Sequence, residues 1–455
     1  MIDPIGIRSM PLRQADIFFF LAILFLSSWH LDDGPNDNTM SRAATVASLV
    51  DHGTLEITPI HEVTGDKALI DGKYFSEKAP LPTFLVLPFH WIEVRSGLVH
   101  EGEFGTLTPG LLRLGGFICG SIPFALICTI FWRDRRRAGL TDAWALATLP
   151  LFGSFLFVYS GSFYNHLLGS LFILLAARSM VDRKYLVAGL WSGCAFLSEA
   201  ALLIIPAAWM LQLLFDRWKE IHKPILGLLP SVILMCAFNY SVTGDPIVFP
   251  NAFHVNFSIL NDDYGFGHWQ PETFAGLLIT DHRGLLFYMP VLLMALWFIP
   301  KRVALKDLLR DPFVLPAILL IAAFLTHATW WGGWAYGPRY LMAAAALLAY
   351  STLMHHKFTR PERWIFFLLC SFGIICAFAA KATVWYSLPS QILHPLFEEI
   401  WPRIVRGEFT SMQWPVLLGL QPGVATLLFI SIFSVFMYLI SRIDRERISA
   451  NTHRA

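Results

Sequence analysis

Asp37, Arg42, Asp66, Asp71, Lys73 and Lys78 stand within residues 36–81 of a chain that is otherwise largely apolar. Charges held against a bilayer are costly unless they are solvated, paired or engaged in chemistry. A carboxylate can take the proton of an attacking hydroxyl, and lysine or arginine can stabilise a departing phosphate. The segment thus carries both halves of an acid–base and anion-binding site.

Short elements must position these groups. SRAATVASLVDHGTL places Ala43, Val46, Ala47, Leu49 and Val50 on one side of a short amphipathic helix, with Ser41 or Thr39 as its cap and Gly53 as its end. Asp37 and Arg42 then stand at its start. DGKYFSEKAPL turns at Asp71-Gly72, passes through Tyr74 and Phe75, and delivers Lys78 to a helix that begins with proline. Backbone N–H groups gather there and favour a phosphate. The plainer alternatives are a solvated surface helix and a lysine snorkelling at the membrane interface.

The chain is 55% hydrophobic and 15% charged, against about 25% charged in soluble domains. Its mean hydropathy is +0.55. A net charge of +1 argues against nucleic acid as a partner, because tracking phosphates needs a basic face. Cys119, Cys128, Cys194, Cys236, Cys370 and Cys376 lie in apolar runs without metal-ligand spacing, and are read as core residues.

A spanning helix needs about 20 apolar residues. Candidate spans fall near residues 14–31, 110–132, 141–160, 165–180, 184–198, 200–216, 224–242, 284–300, 312–329, 338–355, 363–381 and 416–440. The first lacks a small-residue cleavage site and is expected to stay as an anchor. Basic loops at 133–137, 178–184, 217–223, 301–310, 357–363 and 442–447 fall on alternate connections. With the two chain ends they hold 23 of the 34 Lys and Arg. By the positive-inside rule these loops and both termini are cytoplasmic. Residues 81–95 are apolar but short and contain Pro82 and Pro88, so they are expected to lie along the outer interface. The reading is one all-α polytopic membrane domain, residues 1–455, of about 12 transmembrane helices. Its long outer loops are 31–109, 243–283 and 382–415, with juxtamembrane helices in the first.

These blocks resemble the GT-C glycosyltransferases: an apolar first helix, a short helix with Arg42 near its start ending in His52-Gly53-Thr54-Leu55, then Tyr74-Phe75-Ser76-Glu77-Lys78-Ala79-Pro80-Leu81. The similarity is to the aminoarabinose-transferase and protein O-mannosyltransferase branch. FNYSVTGDPIVF, HRGLLFYMPVLL and WWGGWAYGPRYL resemble blocks of a bacterial subgroup in the same order. The resemblance implies a GT-C-like bundle and a sugar taken from a polyprenyl phosphate on the outer face. It implies a base from an acidic residue shortly before Arg42. Thr39 occupies the usual offset, so Asp37 is the expected base and Asp33 its rival. Lys78 matches a family lysine, with Ala79 in place of a proline. A second family lysine corresponds to Ser198-Glu199, which leaves Arg283 or Arg339 to replace it as phosphate ligand beside Arg42 and Lys78.

His254, Asp262, Asp263, His268, Asp281, His282 and Arg283 fall in the loop 243–283. Histidine with carboxylate allows a divalent metal, although the spacing matches no fixed motif and no cofactor is assigned. Tyr336, Gly337, Pro338 and Arg339 follow three tryptophans; an aromatic belt explains the tryptophans but not Arg339. Tyr74, Phe75, His166, His268 and Tyr336 are expected to line the cavity, with Asn165 beside His166.

The function expected is inverting transfer of a sugar from a polyprenyl-phosphate donor to a lipid, glycan or protein acceptor at the bacterial inner membrane. The chain has no phosphate-cradling glycine loop of the GxxxxGK[ST] type, which agrees with a membrane-borne donor. The alternative is a transporter or flippase of lipid-linked sugars, which would place ionisable groups at mid-bilayer in symmetric halves.

Overall fold

The computed structural model describes residues 12–34, 36–99, 102–256, 258–260, 264–302, 308–354 and 356–452. Helix occupies each of the twelve apolar runs. Among the described residues, four stretches are long and apolar enough to cross a membrane: Pro109–Arg137, Trp218–Thr243, Arg360–Ala382 and Pro422–Glu446. The remaining apolar helices are shorter, so the protein is a multi-pass helical membrane protein built partly from broken helices.

The first apolar helix is α1 (Leu12–Ser27), followed by the first long loop. There α2 (Asp37–His52) starts four residues before Ser41, because Asn36 caps it by accepting the Asn38 N–H. Such a cap contributes about 1 kcal/mol. The expected caps are thereby corrected. Thr39 donates to Asn36 O, and Ser41 donates to Asp66 O at 2.6 Å. Gly53 does end the helix, at φ 68° with its N–H on Leu49 O.

A hairpin follows, β1 (Lys67–Ile70) with β2 (Lys73–Ser76), pairing Lys67 with Ser76 and Ile70 with Lys73. Asp71 and Gly72 both take positive φ, 49° and 79°, the two-residue turn whose twist matches antiparallel strands. This small sheet is the exception to the all-α expectation. α3 (Pro80–Arg95) then leaves Phe84, Phe89, Trp91 and Ile92 exposed.

α4 (Pro109–Gly116) runs through a π turn into α5 (Ile122–Arg137). The next run breaks at Gly153-Ser154 into α6 (Ala143–Phe152) and α7 (Phe155–Tyr159), Ser154 capping α7. Helix then stops until α8 (His166–Val181). Lys381 fills the gap, its Nζ 2.7 Å from the carbonyls of Phe157 and Ser160, acceptors that a helix end leaves open. α9 (Tyr185–Ser198) packs on α11 (His222–Thr243), with α10 (Ile204–Asp216) between them in sequence. Gly189 and Gly227 let these backbones touch: a Cβ on Gly189 would lie 2.1 Å from Pro224 O, and one on Gly227 2.1 Å from Leu186 O. Small residues at such crossings replace the hydrophobic drive that lipid removes.

Candidate active site

The loop 64–66 is stitched to α2. Thr64 Oγ1 donates to Asp37 O at 2.7 Å, the Gly65 N–H donates to Asp37 Oδ1 at 2.6 Å, and Ser41 lies 2.7 Å from Ser76. These bonds turn Asp66 inward to face Lys78, which the hairpin delivers from its other strand. Lys78 Nζ is 2.7 Å from Asp66 Oδ2 and also bonds Glu77. Burial alone would raise the Asp66 pKa, but Lys78, His254 and Arg339 hold it well below the usual carboxylate range. Burial likewise opposes the Lys78 charge, yet Asp66 and Glu77 raise its pKa above the ordinary lysine value.

Arg42, on the first turns of α2, is buried. Its Nη1 donates to Asn38 O at 2.9 Å and its Nη2 to Asn165 Oδ1 at 2.7 Å. Its Nε has no partner. Burial brings its pKa down to about 10. Arg339, on the turn before the helix Met342–Met354, is half-buried, its guanidinium over the rings of Tyr164 and Tyr340, each 5.2 Å away. Its Nε is also unpartnered, and no ion pair to a carboxylate is found for it among the described residues.

The sequence reading passed over Asp32. It is fully buried, accepts the Gly34 N–H at 3.3 Å and the Tyr386 hydroxyl, and burial raises its pKa to about 7. The Tyr386 ring meets Tyr164 edge-on at 5.1 Å. Tyr164 lies within electrostatic reach of Asp32, Asp66 and Arg339 together. One carboxylate in a run of polar loop residues carried no mark in the sequence; burial alone sets it apart.

The other expected residues are less convergent. Asp37 is exposed and holds Gly65. Asp33 pairs with Arg113 at 2.6 Å. Arg283 is fully buried but spent on backbone: it donates to Trp331 O at 3.1 Å, His282 O at 2.7 Å, Leu388 O at 3.2 Å and Gly333 O at 3.4 Å. Tyr336 is a core residue, edge-on to Tyr288 at 4.5 Å, with its N–H on Tyr159 Oη. Tyr74 stacks on His61 at 3.9 Å. Phe75 does border Lys78, in a crevice with Leu55, Phe84 and Phe238. His268 is tied through its N–H to Thr326 O, and His166 joins the Arg42–Arg339 group through Asn165 and Tyr340. Asp262 and Asp263 lie outside the described residues.

Asp66, Glu77 and His254 each offer a ligand atom within 4.8 Å of the others, a spacing suited to a divalent ion. The set does not fit one as folded. Lys78 already bridges both carboxylates. His254 Nδ1 accepts the Asn256 N–H at 3.0 Å, which puts the ring proton on Nε2, the atom facing the carboxylates. An ammonium takes the place of a metal.

No protein-family model and no curated protein matches the chain. Among solved structures it is similar to ArnT from Cupriavidus metallidurans bound to undecaprenyl phosphate, at TM-score 0.48 and 13% identity over 96% of this chain and 77% of that one. The apo state of the same protein gives 0.45 and 13% over 96% and 76%. It is also similar to the archaeal oligosaccharyltransferase AglB from Archaeoglobus fulgidus, in complex with an inhibitory peptide and a dolichol-phosphate. There the TM-score is 0.47 and the identity 12%, over 83% of this chain and 56% of that one. ArnT and AglB are GT-C glycosyltransferases, the class whose sequence blocks this chain resembles. Likeness at these scores carries no chemistry by itself, which rests on the residues described above.

Proposed function

We propose that this chain is a glycosyltransferase that moves a sugar from a polyprenyl-phosphate donor to a lipid, glycan or protein acceptor on the outer face of the bacterial inner membrane. The observation that carries this reading is Arg339, a half-buried guanidinium whose Nε is buried without a partner and which pairs with no carboxylate among the described residues, in one polar cluster with Arg42 and Lys78. A planar guanidinium matches phosphate geometry with two parallel hydrogen bonds. The apolar crevice of Leu55, Phe75, Phe84 and Phe238 beside Lys78 suits the hydrocarbon of a lipid phosphate.

The chemistry is inverting displacement at the anomeric carbon. Asp32 takes the acceptor proton, because a buried carboxyl with a pKa of about 7 is matched to a base working near neutrality. Asp37 and Asp33 hold the loop that frames it. Arg339, Arg42 and Lys78 stabilise the phosphate as it leaves. Twelve crossings, with both termini in the cytoplasm, place α2, the hairpin and α3 outside. The test is binding of undecaprenyl phosphate to the purified chain in nanodiscs. Arg339→Gln should weaken it about 10- to 100-fold, the value of a charge-assisted hydrogen bond. Unchanged affinity sinks the reading.

A further inference from the structure

His166 opens α8 and is buried at 4% exposure. Its Nδ1 lies 2.9 Å from Glu199 Oε2, so the carboxylate accepts the Nδ1 proton and fixes the ring. The opposite nitrogen, Nε2, is buried with no partner. Glu199 is placed for this by a break in the fold: α9 ends at Ser198, and Glu199 takes an extended conformation (φ −160°) before the next turn. Asn165 reinforces it, donating to Ser198 O at 3.0 Å and to Glu199 Oε2 at 3.4 Å, while its own Oδ1 accepts from Arg42.

The charged and titratable groups around the imidazole are Arg42 from α2, Glu199 after α9, and Arg339 and Tyr340 before the helix Met342–Met354. Tyr159 and Tyr164 complete the set from the 155–165 segment. The unpartnered nitrogen thus shares its surroundings with two guanidinium groups whose Nε atoms are likewise unpartnered. In the neutral ring, a bond from Nδ1–H to Glu199 leaves Nε2 a bare acceptor. An anion among Arg42, Arg339 and His166 makes the imidazolium the favoured form, with Nε2–H as a further donor.

We propose that His166, oriented by Glu199, carries a proton to the leaving phosphate and so binds the phosphomonoester product more tightly than the phosphodiester donor. The inference rests on the phosphate reading above. As the acceptor oxygen bonds to the anomeric carbon, the bond from that carbon to the phosphate oxygen breaks, and its electron pair stays with the phosphate. The diester monoanion becomes a monoester dianion. The acceptor proton goes to Asp32, and the Nε2 proton of His166 is shared with or passed to the new oxyanion. His166 touches the reacting group; Glu199 is a positioning residue that keeps Nε2 aimed and the imidazolium paired.

The test compares undecaprenyl phosphate with its methyl phosphodiester, binding to the full chain in nanodiscs between pH 6 and 8. The wild type is expected to favour the monoester about tenfold at pH 6.5, and to lose that preference as the imidazolium deprotonates at higher pH. The monoester's own second ionisation, near pH 6, is common to every variant. His166→Gln and Glu199→Gln should lower the preference about tenfold relative to the wild type and leave only the pH dependence of the monoester's own ionisation, with diester affinity kept within about threefold. Glu199→Gln still accepts from Nδ1, so it remains informative if His166→Gln fails to fold. Variants that retain the preference, or that lose both ligands equally, overturn the inference and leave the phosphate reading standing. Binding of neither ligand to the wild type overturns the phosphate reading itself.

Discussion

Lys78 Nζ lies 2.7 Å from Asp66 Oδ2, and the same ammonium bonds Glu77, so two carboxylates hold one cation at the mouth of the cluster. Removing one partner of a buried pair leaves the other uncompensated, at about 3–5 kcal/mol. Lys78→Ala strands two carboxylates and is expected to lower the melting temperature sharply, whatever it does to substrate binding. Lys78→Ala combined with Asp66→Asn should recover part of the loss in a double-mutant cycle by thermal melting; no recovery means the pair is not coupled.

The same pair sets a pH window. Asp66 is depressed, so its contribution is present above about pH 3.9 and is lost as pH falls through its lower folded value. Lys78 is raised, so its contribution is present below about pH 10.4 and is lost as pH rises through its higher folded value. Melting curves should show no titration from this pair between about pH 5 and 9. A step assigned to the pair by its disappearance in Asp66→Asn, falling within that interval, contradicts the assignment.

Asp32 behaves oppositely. Its raised carboxyl, at about 7, stays protonated in the fold where the unfolded chain has already ionised, so stability declines as pH rises from about 4 toward 7. Asp32→Asn should melt higher at pH 8 while transfer falls about 10²- to 10⁴-fold. Wild-type transfer should rise with pH as Asp32 ionises toward about 7 and fall again where the His166 imidazolium is lost, a bell-shaped profile. Asp37→Asn keeps an oxygen for the Gly65 N–H and should be mild, as should Asp33→Asn, whose pair with Arg113 is partly solvated. A dead Asp37→Asn with an active Asp32→Asn returns the base to Asp37.

Arg283 and Arg339 should separate cleanly. Arg283→Met leaves buried carbonyls of Trp331, His282 and Leu388 without a donor, at about 1–3 kcal/mol each, and should melt lower. Arg339→Gln removes a guanidinium that pairs with no carboxylate among the described residues, so its melting temperature should fall less than that of Arg283→Met, while phosphate affinity drops. The reverse pattern would exchange the two roles.

Topology is checked with single cysteines in a background lacking the native six. Glu62 and Ala138 are both exposed, one in the first loop and one beside the basic run 133–137. An impermeant thiol reagent added outside should label Glu62→Cys and not Ala138→Cys. Labelling of Ala138→Cys alone would place the proposed active site in the cytoplasm.

Local chemistry was legible wherever a residue's role is decided by its neighbours in sequence. Gly53 ends α2 because a left-handed residue there needs no Cβ. Asp71-Gly72 makes the hairpin turn because both positions take positive φ. Pro80 opens α3 because the first turn needs no N–H from it. The apolar runs were legible too, since length and hydropathy alone decide whether a segment can lie in lipid.

Pairings across the fold were not. Arg283 and Arg339 look alike in sequence, each a cation at a helix end; only the folded chain gives the first to backbone carbonyls and leaves the second without a carboxylate. Asp32, Asp33 and Asp37 lie within six residues of one another. One is buried against Tyr386, one is paired with Arg113 and one is exposed on Gly65, each partner coming from another part of the chain. Glu199 read as a lost lysine until the break after α9 set it against His166. By itself the sequence determined which segments are apolar, where they turn and that Arg42, Lys67, Lys73 and Lys78 gather in the loop after the first apolar helix. The tertiary structure decided which of those charges are already neutralised, because desolvation and hydrogen-bond partners depend on contacts between residues distant in sequence.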